Sequence, residues 1–254
     1  MARIFDEKFE TSPGYDETAA GNGSDWAETE GATSTVDPDE DTASAGNPSN
    51  WDSECLEIDC IEGENCYITN TFDSTQGDFW FRFEFYLYSH TIANNDRAMI
   101  AQIFDSVPSN VVIFYVRYAD PNLYIQARCY HDGASHYYTS LSAISVQTVY
   151  RIEFKWNVTN DVWAWKIDGV NQPNDQDGTD PVESEGVLSL THGDGLESLR
   201  LGGVSYQQGF KGYYDLVAVD NADWVGEETG GGGRTTKNTR SFPLGTNHAM
   251  PFRM

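Results

Sequence analysis

Residues 79 to 88 alternate without a break. Phe79, Phe81, Phe83, Phe85 and Leu87 fall on one parity, and Trp80, Arg82, Glu84, Tyr86 and Tyr88 on the other. A period of two puts successive side chains on opposite sides of an extended chain, so this stretch reads as a β-strand with one wholly apolar face. Four phenylalanines and a leucine in a row must be covered by a second apolar layer, and for a strand that layer is another sheet about 10 Å away.

The same pattern recurs along the chain. Leu56, Ile58 and Cys60 alternate with Glu57 and Asp59. Residues 111–118 form a more continuously apolar strand. After the turn Asp120-Pro121-Asn122, Leu123, Ile125, Ala127 and Cys129 make one face, and Tyr124, Gln126, Arg128 and Tyr130 the other. Tyr150, Ile152, Phe154 and Trp156 alternate with Arg151, Glu153, Lys155 and Asn157. Further strands are expected at 3–10, 162–168, 187–190, 198–203 and 212–220, with Gly, Asn, Asp and Pro between them. No segment holds a helical stripe over three turns. Many short strands with such turns mean an all-β sandwich or barrel, and the expected fold is a two-sheet antiparallel sandwich with an extended C-terminal arm.

With 254 residues, 39% hydrophobic and 13% aromatic, the chain can fill one large sandwich core without covalent staples. The formal net charge of −25 is unevenly placed. Residues 1–64 hold 18 of the 40 acids, against only Arg3 and Lys8 as bases. A chain of this sign repels phosphate backbones, so no nucleic-acid partner is expected. Residues 11–50 read as a long acidic loop segment, with Trp26 and Val36 as its apolar contacts. The N-terminus has no apolar signal-peptide core, and no stretch approaches the ~20 apolar residues of a membrane helix. No membrane partner is expected.

Residues 227–233 read as a Gly-rich hinge after a sandwich spanning 1–226. The charge then inverts. Residues 234–254 carry Arg234, Lys237, Arg240 and Arg253 with no acid, and Phe242 and Phe252 among their apolar positions. This is the composition of a basic, apolar docking arm. Cys55, Cys60, Cys66 and Cys129 include no CxxC pair, which argues against a zinc site. Cys60 and Cys66 flank the turn Glu62-Gly63-Glu64-Asn65. They are either a disulfide across a hairpin or two buried thiols. The chain has no HExxH, Gly-x-Ser-x-Gly, P-loop or dinucleotide fingerprint.

Three segments resemble the concanavalin A-like lectin/glucanase superfamily in its laminin-G-like jelly-roll branch. They are Ile4-Phe5-Asp6-Glu7-Lys8-Phe9-Glu10, Thr69-Asn70-Thr71-Phe72-Asp73 with the aromatic strand after it, and residues 199–220 with Leu201-Gly202-Gly203 and Gly212-Tyr213-Tyr214-Asp215. Trp224-Val225-Gly226 fits the closing segment. The resemblance implies a curved sheet that binds carbohydrate or protein partners, often with a structural calcium ion. Domains of this kind without signal peptides are common in phage virions. By that analogy the chain is similar to a capsid decoration or tail-associated protein, displayed on a particle surface as a homo-oligomer.

Three constellations are candidate sites. Glu57-Ile58-Asp59-Cys60-Ile61-Glu62 is similar to the paired-carboxylate motif of retaining β-glucanases, which implies Glu57 as nucleophile, Asp59 as helper and Glu62 as acid/base. Trp80, Arg82, Glu84, Tyr86, Tyr124, Arg128 and Tyr130 mix aromatic faces with polar groups, as a glycan site requires. Glu10 or Asp6 on the first strand and Asp215 on the last supply hard oxygen ligands that suit calcium. The favoured expectation is a non-enzymatic virion-type structural protein. It binds glycans or neighbouring subunits through its sheet and other assembly proteins through 234–254. The alternative is a particle-borne or secreted glycoside hydrolase acting through the three carboxylates.

Overall fold

The computed structural model describes residues 3–7, 26–41, 51, 54–105, 110–131, 134–157, 162–174, 195–204 and 208–220. Among them are fifteen strands: β1 (Arg3–Glu7), β2 (Trp26–Thr29), β3 (Thr35–Asp41), β4 (Glu54–Cys60), β5 (Cys66–Gln76), β6 (Phe79–His90), β7 (Arg97–Asp105), β8 (Asn110–Ala119), β9 (Asn122–His131), β10 (Ala134–Thr139), β11 (Val149–Asn157), β12 (Val162–Ile167), β13 (Val170–Asn171), β14 (Leu196–Gly203) and β15 (Phe210–Asp220). No described segment is helical, so none is a helix able to cross a membrane.

The strands make two antiparallel sheets. Sheet A runs β13-β12-β11-β6-β15-β4-β3, with β1 also pairing along β15. Sheet B runs β10-β9-β8-β7-β14-β5-β2. The chain changes sheet repeatedly: β3 and β4 lie in A, β5 in B, β6 in A, β7 to β10 in B, β11 to β13 in A, β14 in B and β15 in A. Residues far apart in sequence therefore become neighbours, as with β15 beside β6. This is the two-sheet jelly-roll sandwich that the family resemblance implies.

The two apolar parities meet between the sheets. Phe79, Phe81, Phe83, Phe85 and Leu87 of sheet A are buried, as are Val112, Phe114, Val116, Ile125 and Ala127 of sheet B. Phe114 joins the layers. Its ring centroid lies 6.1 Å from Phe83, 6.1 Å from Phe154 and 6.0 Å from Trp165, which come from three strands of sheet A. Tyr138 of β10 packs on Trp163 of β12 at 5.0 Å. One polar contact crosses the same interior. The register of β7 slips between Met99 and Ala101, so Ile100 bulges from the ladder. Its carbonyl accepts the buried Tyr214 hydroxyl at 2.8 Å.

Two expectations change. The span 11–50, expected as an acidic loop, contains β2 and β3. Trp26 and Val36 both enter the core. These are edge strands, and a few anchoring apolar residues suffice where one sheet edge stays open. The strands β7 and β10 were not anticipated either. Arg97–Asp105 carries a bulge that breaks its alternation, and Ala134–Thr139 has only Tyr138 fully buried. The strand expected at 187–190, the closing segment 224–226, the hinge 227–233 and the arm 234–254 lie outside the described residues.

The corner where β4 leaves sheet A for sheet B is held by Glu64. Its carboxylate accepts the Thr33 N–H (3.0 Å), the Thr33 hydroxyl (2.9 Å), the Ser34 N–H (2.8 Å) and the Ser34 hydroxyl (2.8 Å). Residues 33 and 34 join β2 to β3, so the clasp ties together two places where the chain changes sheet. Cys60 and Cys66 bracket this turn as free, buried thiols in contact with each other, and Cys66 donates to the Thr35 carbonyl at 3.1 Å. Cys55 and Cys129 are also free and buried. On β14, Gly202 has φ of 110°, and a Cβ there would strike the Cys66 carbonyl oxygen, so the close approach of β14 to β5 needs glycine.

Two outcomes test this core. Tyr214→Phe leaves the bulged Ile100 carbonyl without its phenol donor and should cost about 1–3 kcal/mol in denaturant unfolding. Hydrogen bonds, from the Thr33 N–H first and then from the Ser34 hydroxyl, hold the Glu64 carboxyl below its ordinary value of 4.5. The stability they supply is present above that value and is lost as pH falls through the lowered one. Glu64→Ala should therefore lower the melting temperature at neutral pH, and its gap from the parent should close as the solution is acidified.

Candidate functional site

The sandwich leaves two outward faces, one per sheet, pointing away from each other. The candidate glycan residues divide between them. Trp80, Arg82, Glu84 and Tyr86 lie on the outer side of sheet A, opposite in parity to the core phenylalanines. Tyr124, Arg128 and Tyr130 lie on the outer side of sheet B, opposite in parity to Leu123, Ile125 and Cys129. The sequence placed all seven on one candidate surface, and the fold separates them.

The sheet A set is largely covered. Trp80 is 7% exposed, Arg82 3% and Tyr86 5%. Trp51, just before β4, folds over this side. Its indole N–H donates to the Glu84 carboxylate at 2.8 Å, and its ring meets Tyr86 at 6.3 Å. The charges on this face are paired across strands. Glu153 stands opposite Arg82 on one side and Lys166 on the other, with Arg151 Nε 3.4 Å from its carboxylate. Burial raises the Glu153 pKa, and Arg151, Lys166 and Arg82 oppose the rise. Lys155 lies opposite Trp80, its ammonium 5.2 Å from the ring centre. Opposite charges facing each other on a sheet stabilise it. This face has its partners within the chain.

The paired-carboxylate motif is also dispersed. Glu57 and Asp59 point outward from β4, and the Glu57 carboxylate accepts the Lys211 ammonium at 2.7 Å. Burial raises the Asp59 pKa, Lys211 lowers it and Glu57 raises it further. Strand β4 ends at Cys60. Glu62 lies beyond it, in a turn with Gly63 at φ 87°, and accepts from the Gln208 amide at 3.1 Å. A turn in place of a continued strand takes Glu62 off the face that carries Glu57. Of the calcium candidates, Glu10 is outside the described residues. Asp6 of β1 pairs with Ala218, and the buried Asp215 accepts the Leu216 N–H at 2.7 Å. Among the described residues, no group of three or more His, Cys, Asp or Glu side chains stands together to hold a metal.

Sheet B presents a different surface. Its registered rows can be read across the strands. One row is Arg97, Arg117 and Tyr124; the next is Met99, Tyr115, Gln126 and Thr139. A further row is Thr69, Arg200, Gln102, Ile113, Arg128 and Tyr137. Met99, Ile113 and Tyr115 form a buried apolar floor with Val204. The arginines lie on aromatic rings above it. The Arg97 guanidinium is 4.2 Å from the Tyr137 ring centre and 5.5 Å from that of Tyr115, and Arg200 is 3.9 Å from Tyr67 and 4.7 Å from Phe104. Hydrogen bonds orient them further. Arg97 donates to the buried Gln126 at 3.2 Å, Arg200 to the buried Gln102 at 3.0 Å, and Arg128 to Ser135 at 2.9 and 2.6 Å. Tyr137 is 43% exposed, so one flat ring faces outward beside them.

An open depression of about 540 Å³ lies at the adjoining end of the sandwich, lined by His90, Tyr118, Pro121, Asn122, Leu123 and Ile144 among others. Burial lowers the His90 pKa. The sequence reading missed Arg97, Gln102, Arg117, Tyr137 and Arg200. Their strands lacked regular alternation, and what unites them is register between β14, β7, β8, β9 and β10. The positive side chains within 97–128 were the available signal.

No family model matches the sequence, and no curated protein matches it. Solved structures match in fold. The chain is similar to Cip1, a cellulose-induced protein, with a TM-score of 0.55 and 13% identity over 88% of this chain and 99% of that one. It is similar to part of a sialidase, with a TM-score of 0.53 and 10% identity over 88% of this chain, spanning 19% of the sialidase. It is similar to the binding domain of botulinum neurotoxin serotype D, with a TM-score of 0.52 and 8% identity over 86% of this chain and 47% of that one. At these identities the likeness shows the fold alone, which is the concanavalin A-like jelly-roll sandwich.

Proposed function

We propose that this concanavalin A-like domain binds carbohydrate on the outer face of sheet B and serves as a non-enzymatic structural or display protein. The observation that carries the reading is the arginine-on-tyrosine lattice over β7 to β10. Sugar rings stack on exposed aromatic faces, and fixed donors and acceptors select their hydroxyls. Tyr137 offers the face, and Arg97, Arg128 and Thr139 offer oriented polar groups around it, with the buried Gln126 holding Arg97 and Thr139 in place. The sialidase among the fold neighbours is named for a reaction on sugars and Cip1 for its induction by cellulose. Both names are in keeping with a glycan ligand here.

The expected test is a glycan array read with single variants. Tyr137→Ala should weaken binding roughly 5- to 10-fold, the scale of one aromatic stack. Trp80→Ala, on the opposite sheet, should leave the glycan profile unchanged in the molecules that fold. Full binding by Tyr137→Ala would remove sheet B as the site.

A role on a virion or similar extracellular particle rests on the sequence of residues 234–254. Their charge inversion after a glycine run supports docking through Arg234, Lys237, Arg240, Phe242, Phe252 and Arg253 to other assembly proteins. Removal of 234–254 should leave the cooperative unfolding transition of the sandwich in place while abolishing incorporation into the assembly, as followed by sedimentation. Normal incorporation of the shortened chain would dismiss the arm.

A further inference from the structure

The carbohydrate reading leaves the class of sugar open, and the charges on sheet B bear on it. Arg97 and Arg117 are direct cross-strand partners. Like charges placed opposite each other destabilise a sheet. On sheet A, Arg82 and Lys166 flank Glu153 and Lys211 meets Glu57, whereas Arg97 and Arg117 face each other. β7, β8, β9 and β14 present four outward arginines, against the exposed Glu197 at the register slip between Leu196 and Ser198. Asp105 shares its parity with the core residue Ile103 and is buried. Two acids stand at the adjoining end of the sheet. Asp96 accepts the Arg97 backbone N–H at 2.9 Å, and Asp120 accepts the Tyr118 hydroxyl at 3.0 Å.

In a chain of net charge −25, four arginines gathered on one face are a local concentration of positive charge. The guanidinium groups are also pre-positioned. Each has five N–H donors. Arg97 donates through one nitrogen to Gln126 and lies within 5.5 Å of the Tyr115 ring centre and 4.2 Å of that of Tyr137, which fixes the guanidinium and leaves further donors for a ligand. Arg117 is half-buried beside it, and its guanidinium enters no hydrogen bond or ion pair among the described residues. Planar guanidinium pairs of this kind match the two oxygens of a carboxylate or sulfate. Arg128 and Arg200 stand two rows away, four residues along β8, a distance of about 14 Å. The patch therefore has room for more than one charged group along an extended chain.

Resting on the carbohydrate reading, we propose that the ligand is an acidic glycan. Its carboxylate or sulfate groups are bound by the Arg97–Arg117 pair, with Arg128 and Arg200 taking a second charged group farther along the face. Tyr137 and Tyr124 pack against the sugar rings between them. The overall negative charge of the protein opposes a polyanion at long range, so the attraction is local and is weakened by added salt.

The test is calorimetric titration of the full chain with four probes: a uronic-acid hexamer, a heparin-derived hexamer, a neutral β-glucan hexamer and a single-stranded DNA oligonucleotide. Binding of either acidic sugar, roughly tenfold or more tighter than the neutral one, is the expected result. Which of the two binds separates carboxylate from sulfate. Arg97→Gln with Arg117→Gln should remove that preference, while Lys155→Gln, on sheet A, should keep it. Circular dichroism and the unfolding midpoint verify that the double variant is folded; should it fail to fold, Arg117→Lys alone should still reduce the acidic-sugar preference. Equal binding of neutral and acidic hexamers, unchanged by the double variant, would overturn the acidic ligand and leave the carbohydrate reading standing. No binding of any hexamer would overturn both. An oligonucleotide bound as tightly as the acidic hexamers would overturn sugar as the recognised chemistry.

Discussion

Aromatic packing between the two sheets is the constraint on which the remaining structure depends. Phe114 of one sheet meets Phe83, Phe154 and Trp165 of the other at ring separations of 6.0 to 6.1 Å. Rings of this size set the spacing of the layers and the register in which they face each other. A one-residue slip in any strand would turn its aromatic set to solvent, so register is strongly specified wherever this core reaches. The bulge at Ile100 is accommodated in the same way. It would strand a carbonyl in the interior, and the Tyr214 hydroxyl reaches across the sheets to satisfy it.

Because the core holds register firmly, the outward side chains are also held in fixed rows. The two outer faces then differ by what stands in those rows. On sheet A, Arg82, Glu153 and Lys166 fall in one line with alternating sign, and Glu57 meets Lys211. That face is neutralised internally and partly roofed by Trp51. On sheet B, Arg97 faces Arg117, and Arg200 and Arg128 share a row with Gln102 between them. Stacking on Tyr67, Tyr115 and Tyr137 holds the guanidiniums in place. A face that is polar, aromatic and rich in arginine is the better candidate for recognition, and its position on the open side of sheet B follows from the core beneath it.

Much of this was legible from local pattern. The rows at 79–87, 123–129 and 150–156 assign inward and outward residues with no tertiary information, because the pleat has a period of two. Trp26 and Val36 marked contact points in an acidic segment and do enter the core. The bulged strand β7 was not legible, since one extra residue breaks the alternation on which the reading depends. The candidate glycan set was divided between two faces for a related reason. Trp80 and Tyr124 share an outward parity, but parity does not say which sheet a strand joins.

By itself, then, the amino-acid sequence determined that the chain is all-β, that its apolar strand faces need a second layer, and which residues of each regular strand face the core. These are consequences of short-range geometry and the burial of apolar surface. Only the tertiary structure decided that Trp80 and Tyr124 look in opposite directions, that Glu62 turns away from Glu57, and that four arginines drawn from residues 97 to 200 assemble on one face. Those outcomes depend on the sheet to which each strand is sent, and that is settled by which aromatic rings meet across the core.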